Sequence, residues 1–130
     1  MTTTPFLMFQ NGQCAPALDF YVATLPETRI LSSQPYPPGT PGGDGLIMMA
    51  RLSIEGLEVL ANDSTISHAF DFTPSMSLFR LCRDEAEVDR LAAALSQDGA
   101  VLMPPGHYGF SRRFAWVNDR FGVSWQLNLE

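Results

Sequence analysis

The chain spells out one pattern twice. From residue 5 it reads strand, helix, strand, loop and hairpin, and from residue 75 the same order starts again. Each copy takes about 55–60 residues, which makes the repeat the strongest organisational signal in the sequence. A βαβββ unit of this size is a twisted half-sheet with one helix, too small to bury both of its faces alone.

In the first copy, "PFLMFQ" is a short apolar strand, and "CAPALDFYVATL" carries Leu18, Tyr21/Val22 and Leu25 at helical spacing. Pro16 fits only the first helical turn and Pro26 stops the helix. "TRILSSQPY" is a strand and "PPGTPGGDG" a surface loop without the lysine of a phosphate cradle. "LIMMARLSI" and "LEVLAND" are joined by Glu55-Gly56, a two-residue hairpin signal. "STISHAFDFTP" is a connector. The second copy has a strand in "SMSLFRLC", a helix in "DEAEVDRLAAALSQ" with Asp84 as N-cap and Glu87 completing a capping box, a strand in "AVLMPP" and a closing hairpin in "FAWVNDRFGVSWQL". The expected organisation is one domain over residues 1–130, with module 1 at 1–63, a connector at 64–74 and module 2 at 75–130.

Composition removes several function classes. The net charge of −6 opposes nucleic-acid binding, which needs a basic face. All eight basic residues are arginine, so neither Schiff-base lysine chemistry nor a P-loop lysine is available. Cys14 and Cys82 match no metal-ligand spacing and read as reduced structural thiols. With no signal-like opening and no long apolar run, the expectation is a cytoplasmic protein without a membrane partner.

The paired modules and "FAWVNDRFGVSWQL" resemble the vicinal-oxygen-chelate superfamily of glyoxalase, bleomycin-resistance and dioxygenase proteins, whose chains often end F-V-x-D-P-x-G-x-x-x-E-L. "ALDFYVATL", "LSIEGLEVLAND", "SMSLFRLCRDEAEVDRL" and the Asp119, Phe121-Gly122, Trp125-Gln126 ending are similar to its PhnB-like, 3-demethylubiquinone-9 3-methyltransferase-like group. Pro16 departs from that group, which usually has an acid there. The resemblance implies an α+β fold of two tandem βαβββ modules forming a cupped mixed sheet, and a homodimer. The methyltransferase label finds no support in the residues, because no G-x-G-x-x-G follows a strand.

Side chains alternate along strands, so parity assigns faces. Counting from a four-residue loop at 119–122 puts Val123, Trp125 and Leu127 on the helix side with Phe114 and Trp116. Arg113, Ala115, Val117, Ser124, Gln126 and Asn128 then take the other face, with Met49, Arg51, Leu60 and Asn62 as their counterparts in module 1. Metal-dependent relatives carry four ligands on that second face, and the resemblance places those positions at Phe6, Leu60, Met76 and Gln126. At most one of these four can coordinate a hard cation, so no metal and no cofactor are expected.

What remains is a cup lined by Phe6, Met8, Met49, Leu60, Met76 and Leu78, with Arg51, Arg80 and Arg113 at its polar end. The expected partner is a small molecule with an apolar body and an anionic head, bound by Arg51, Leu60, Asn62, Met76, Arg113 and Gln126. The other reading of these side chains is a second core or a dimer interface. His68 and His107 are the available general bases, and both fall in loops. Three functions compete: a metal-independent enzyme or binding protein of the superfamily, a sequestering or regulatory module without chemistry, and a metal-dependent lyase or dioxygenase, for which the ligands are missing.

Overall fold

A computed structural model describes residues 2–130, and the chain divides into two compact units, Met1–Ala69 and Phe70–Glu130. The division falls inside the segment read as a connector. The first unit contains β1 (Phe6–Phe9), α1 (Cys14–Thr24), β2 (Thr28–Pro35), β3 (Ile47–Ile54) and β4 (Leu57–Asp63). Its sheet runs β1-β4-β3-β2, with β1 parallel to β4 and the other pairs antiparallel. Glu55 and Gly56 have φ of +50° and +91°, the left-handed pair that a two-residue hairpin turn requires, and Ile54 faces Leu57 across it.

Leu7, Phe9, Ala50, Leu52, Val59 and Ala61 are buried on the helix side, with Cys14, Ala17, Leu18, Tyr21 and Leu25 over them. Val22 is exposed, so the helical stripe turns on Tyr21. Each of the larger side chains among them, such as Phe9, Leu18, Leu52 and Val59, contributes about 1.5–3 kcal/mol by its burial. Asp63 closes the unit. Its Oδ1 accepts the Cys14 N–H at 2.9 Å and its Oδ2 the Ile47 N–H at 2.9 Å. Gln13, at the N-cap of α1, makes no side-chain capping bond, and a carboxylate from the far end of β4 caps the helix instead.

The second unit contains β5 (Leu78–Leu81), α2 (Glu85–Ser96), β6 (Ala100–Gly106), β7 (Arg113–Asn118) and β8 (Ser124–Leu129), in the order β5-β8-β7-β6 with β5 parallel to β8. The fold is therefore the α+β repeat expected, with two mixed four-stranded sheets. One boundary differs. β5 starts at Leu78, not Ser75, because Met76 N–H turns back to the Thr73 carbonyl and Ser77 Oγ to that of Pro74. Met76 thus precedes the strand and is 66% exposed. At α2, Asp84 accepts the Glu87 N–H at 2.8 Å as expected. The reciprocal half of the box is not made. Glu87, 3% exposed, turns its carboxylate to Arg80 and Arg83 at 3.1 Å each.

The last hairpin corrects the face assignment. Asp119 N–H donates to the Val123 carbonyl and Gly122 sits at φ +92°, so the loop has three residues, Arg120 to Gly122, closed by a glycine bulge. Asn118 then faces Ser124, and Trp116 faces Gln126. A slip of one residue turns a whole strand over. Ala115 and Val117 lie in the helix-side core opposite Leu127 and Trp125, while Phe114 and Trp116 move to the open face. Asp119 fixes this loop: its carboxylate accepts from Phe121 N–H, Val123 N–H and the Trp125 indole, all within 3.0 Å.

Candidate functional site

The register defines what each open sheet face offers. In the first unit, Phe6, Leu60 and Arg51 stand side by side on β1, β4 and β3, and Met8 stands beside Asn62. In the second unit, the matching row is Phe79, Gln126 and Trp116, with Leu81, Asn128 and Phe114 in the next row. The position equivalent to Phe6 is therefore Phe79. Met76, counted there from the sequence, lies outside the strand, and Leu78 and Arg80 point to the helix side.

The ligand-equivalent positions are thus Phe6 and Leu60 in the first unit and Phe79 and Gln126 in the second. A benzyl ring has no lone pair for a cation, nor has an isobutyl group, and a single neutral amide cannot hold a divalent metal. Among the described residues, no three His, Cys, Asp or Glu side chains come together as a metal set. The residues do not fit the metal of the wider superfamily.

The open face of the second unit is partly pre-ordered. The Trp116 indole donates to Ser124 Oγ at 2.8 Å, and Ser124 Oγ lies 2.7 Å from Ser77 Oγ. This pins the Trp116 ring next to Gln126. Asn62 Oδ1 in the first unit and Asn118 Oδ1 and Asn128 Oδ1 in the second are buried without a hydrogen-bond partner among the described residues. Asn62 and Asn128 each follow the turn glycine of their hairpin by six residues. Buried amides left open in this way are costly unless something completes them.

The arginines do not serve as expected. Arg51 does lie on the open face, but Glu58 holds it at 2.5 Å, with the two side chains 49% and 40% exposed. Their hydrogen bond raises the Arg51 pKa and lowers that of Glu58, so both stay charged. Arg113 lies on the helix side and pairs with Asp89 of α2 at 2.7 Å. Arg80 pairs with Glu87, on the helix side too. Each guanidinium expected at the polar end of a cup already has a protein carboxylate.

Neither histidine lies on an open face. His107 is exposed in the β6–β7 loop. His68 Nε2 is 2.8 Å from Ser64 Oγ, and the His68 backbone N–H donates to Gln10 Oε1 at 2.7 Å. The Ser64 hydroxyl also lies 2.9 Å from the Ile66 carbonyl and accepts the Ile66 N–H. All these contacts are satisfied when the hydroxyl hydrogen goes to Ile66 and the protonated Nε2 donates to Ser64. In that arrangement His68 braces the segment and does not activate Ser64. The thiols are equally unsuited to attack: burial, helped by Asp63, pushes Cys14 up to about 12, and burial followed by Glu87 raises Cys82.

Sequence reasoning missed Phe79, Phe114 and Trp116 on the open face and Asp63 as the helix cap. The signal for Phe114 and Trp116 was present: an Asp three residues before a Gly marks the tight turn and glycine bulge that reverse β7. Phe79 was missed because the count from the helix ends at Met76, ahead of the strand.

Comparison with known proteins agrees with this architecture. The family profile described as 3-demethylubiquinone-9 3-methyltransferase matches residues 1–128. The PhnB protein of Bacillus cereus is 42% identical with a TM-score of 0.93, each chain covered completely. Protein PA1353 of Pseudomonas aeruginosa is 30% identical with a TM-score of 0.86, over 100% of this chain and 98% of that one. A glyoxylase/bleomycin resistance protein/dioxygenase domain from Frankia sp. is 15% identical over 99% of this chain and 90% of its own, with a TM-score of 0.66, which extends the likeness in fold alone. The fold is thus that of the glyoxalase/bleomycin-resistance/dioxygenase superfamily. Within it, the chain belongs to the PhnB-like, 3-demethylubiquinone-9 3-methyltransferase family.

Proposed function

We propose that this protein binds a small, largely apolar molecule on its open sheet faces without a protein-held metal, and that it binds or sequesters that molecule instead of transforming it. The pairs Phe6 with Leu60 in the first unit and Phe79 with Gln126 in the second carry the reading, since three of these four side chains offer only hydrocarbon. The polar side chains beside these positions are amides, Asn62 in the first unit and Gln126 and Asn128 in the second, so a neutral hydrogen-bonding group suits the ligand better than the anion expected from the sequence. The cations for an anion are already neutralised by Glu58 and Asp89. The two histidines, off these faces, leave no general base there.

The family name suggests a methyl donor, and the residues do not fit one. The turn after β1 is Asn11-Gly12, not a glycine-rich phosphate or nucleoside cradle. The acid beside it, Asp63, spends both oxygens on Cys14 and Ile47. No methyl-transfer step follows from this chain.

Open sheet faces bearing Phe6, Phe79 and Leu81 at 46%, 57% and 57% exposure also favour assembly as a homodimer. Light scattering at micromolar concentration should give twice the mass of one chain, and a monomer mass would end that part of the reading. Native mass spectrometry of untagged, freshly purified protein tests the main claim. A non-covalent organic adduct is expected, weakened by Gln126→Leu and by Phe79→Ala. Stoichiometric zinc, nickel or manganese that disappears in Gln126→Ala would overturn it.

A further inference from the structure

The first unit also has a cleft at one end of its sheet. It lies at the carboxyl ends of the parallel strands β1 and β4, where ligands gather in other folds that contain parallel strands. Its volume is about 330 Å³, with Asn11, Asp44, Leu46, Ser64, Thr65 and Ser67 among the residues around it. That size is within the range of small-molecule pockets, about 300–1,000 Å³.

Both walls are built, not draped. One is the glycine-rich loop, folded by successive turns from Pro37 to Thr40, Thr40 to Gly43 and Gly43 to Leu46, and closed by Tyr36 N–H to the Leu46 carbonyl. Asp63 anchors it from below through the Ile47 N–H and, by its carbonyl, the Tyr36 hydroxyl at 2.7 Å. The other wall is Ser64 to His68, tied to β1 by Ser64 N–H to the Phe9 carbonyl and by His68 N–H to Gln10. The walls meet at Gly42, where a Cβ would stand 2.7 Å from the Thr65 carbonyl oxygen. A long loop held this firmly has already lost the freedom that ligand binding would otherwise cost.

The lining is chemically one-sided. It has hydroxyls from Thr65 and Ser67, an amide from Asn11, apolar side chains in Leu46 and Ile66, and a single formal charge, Asp44, while the Ser64 hydroxyl is spent on Ile66 and His68. No arginine lines it, so phosphate and carboxylate are disfavoured. We propose that this cleft is a second binding site, for a small hydroxylated organic amine whose ammonium faces Asp44 and whose hydroxyls bond the Thr65 and Ser67 side chains.

Amide-resolved NMR titration with tris(hydroxymethyl)aminomethane at neutral pH, against its neutral isostere pentaerythritol, tests the proposal on the intact chain. The amine should shift the amides of residues 11–12, 42–46 and 64–67 saturably and leave those of Leu60, Gln126 and Asn128 in place. Asp44→Asn should weaken it about fivefold, the scale of one exposed charge, and Asp44→Glu should restore most of the loss. Equal binding of the neutral isostere, or an Asp44→Asn variant of unchanged affinity, would overturn the cation assignment. The absence of any saturable shift in those segments would overturn the site itself. Shifts at the open-face residues alone would do the same while leaving the proposed main function standing.

Discussion

The two units repeat one topology, yet each closes its hairpin and braces its core with different chemistry. The first uses a two-residue turn, Glu55-Gly56, and a carboxylate, Asp63, that reaches across the unit to α1 and β3. The second uses a three-residue loop with a glycine bulge and a carboxylate, Asp119, spent on its own turn and on the Trp125 indole. The three-residue loop, in place of the four residues expected from the sequence, is what places Trp116 rather than Ala115 beside Gln126. Matching topology therefore does not mean matching faces; turn length decides which side chains a repeated strand shows.

The two buried carboxylates give the largest test. Asp119→Ala strands three donors in the core and should cost about 4 kcal/mol in urea unfolding, whereas Asp63→Ala strands two and should cost about 2–3 kcal/mol. If Asp63→Ala proves the costlier, the long-range brace outranks the local one and the contrast drawn here is reversed.

Acidification comes next. Glu87 is pushed up by burial, but the Arg80 hydrogen bond and charge, with the Arg83 N–H and charge, outweigh that and hold it below its ordinary value. A depressed carboxylate contributes stability that is present above its unfolded pKa, about 4.3, and is lost as pH falls through the lower folded value. Amide exchange in α2 should accelerate as pH drops through that window, and Glu87→Gln should flatten the response. An unchanged pH profile in Glu87→Gln would assign the acid sensitivity elsewhere.

Turn glycines give a smaller effect. Gly56 and Gly122 have φ of +91° and +92°, so replacing either with Ala should cost about 1 kcal/mol. Thermal unfolding showing a marked difference between the two would mean that the loops are not equally strained. The smallest effect belongs to Arg51. Its bond to Glu58 is solvent-exposed, and Arg51→Ala should leave the melting temperature within error. A clear drop would show that this pair is enclosed in the working protein.

The fold was legible because its signals are local. Asp84 before α2, Pro16 and Pro26 bracketing α1, and Glu55-Gly56 each act within a few residues, and the structure follows them. The faces of the first unit were legible too, since a two-residue turn leaves one register. The second unit was misread for the opposite reason: "NDRFGV" admits loops of three or four residues, and the choice rests on where the Asp119 carboxylate finds its donors. Pairing of Arg51 with Glu58 and of Arg113 with Asp89 was hidden as well, because each joins separate elements that a linear pattern does not bring together. One ligand position was misplaced as well: the count from the helix ends at Met76, and the strand that holds Phe79 begins only at Leu78.

In both units the strand made first pairs only with the strand made last: β1 with β4 and β5 with β8. During synthesis, Phe6–Phe9 must wait without a sheet partner until Leu57–Asp63 has emerged, and Leu78–Leu81 until Ser124–Leu129 has. Such distant closure slows folding and leaves apolar edges open in the meantime. A nascent chain paused between the two hairpins would carry one finished sheet and one waiting strand, so chaperone demand and misassembly should concentrate on the second unit.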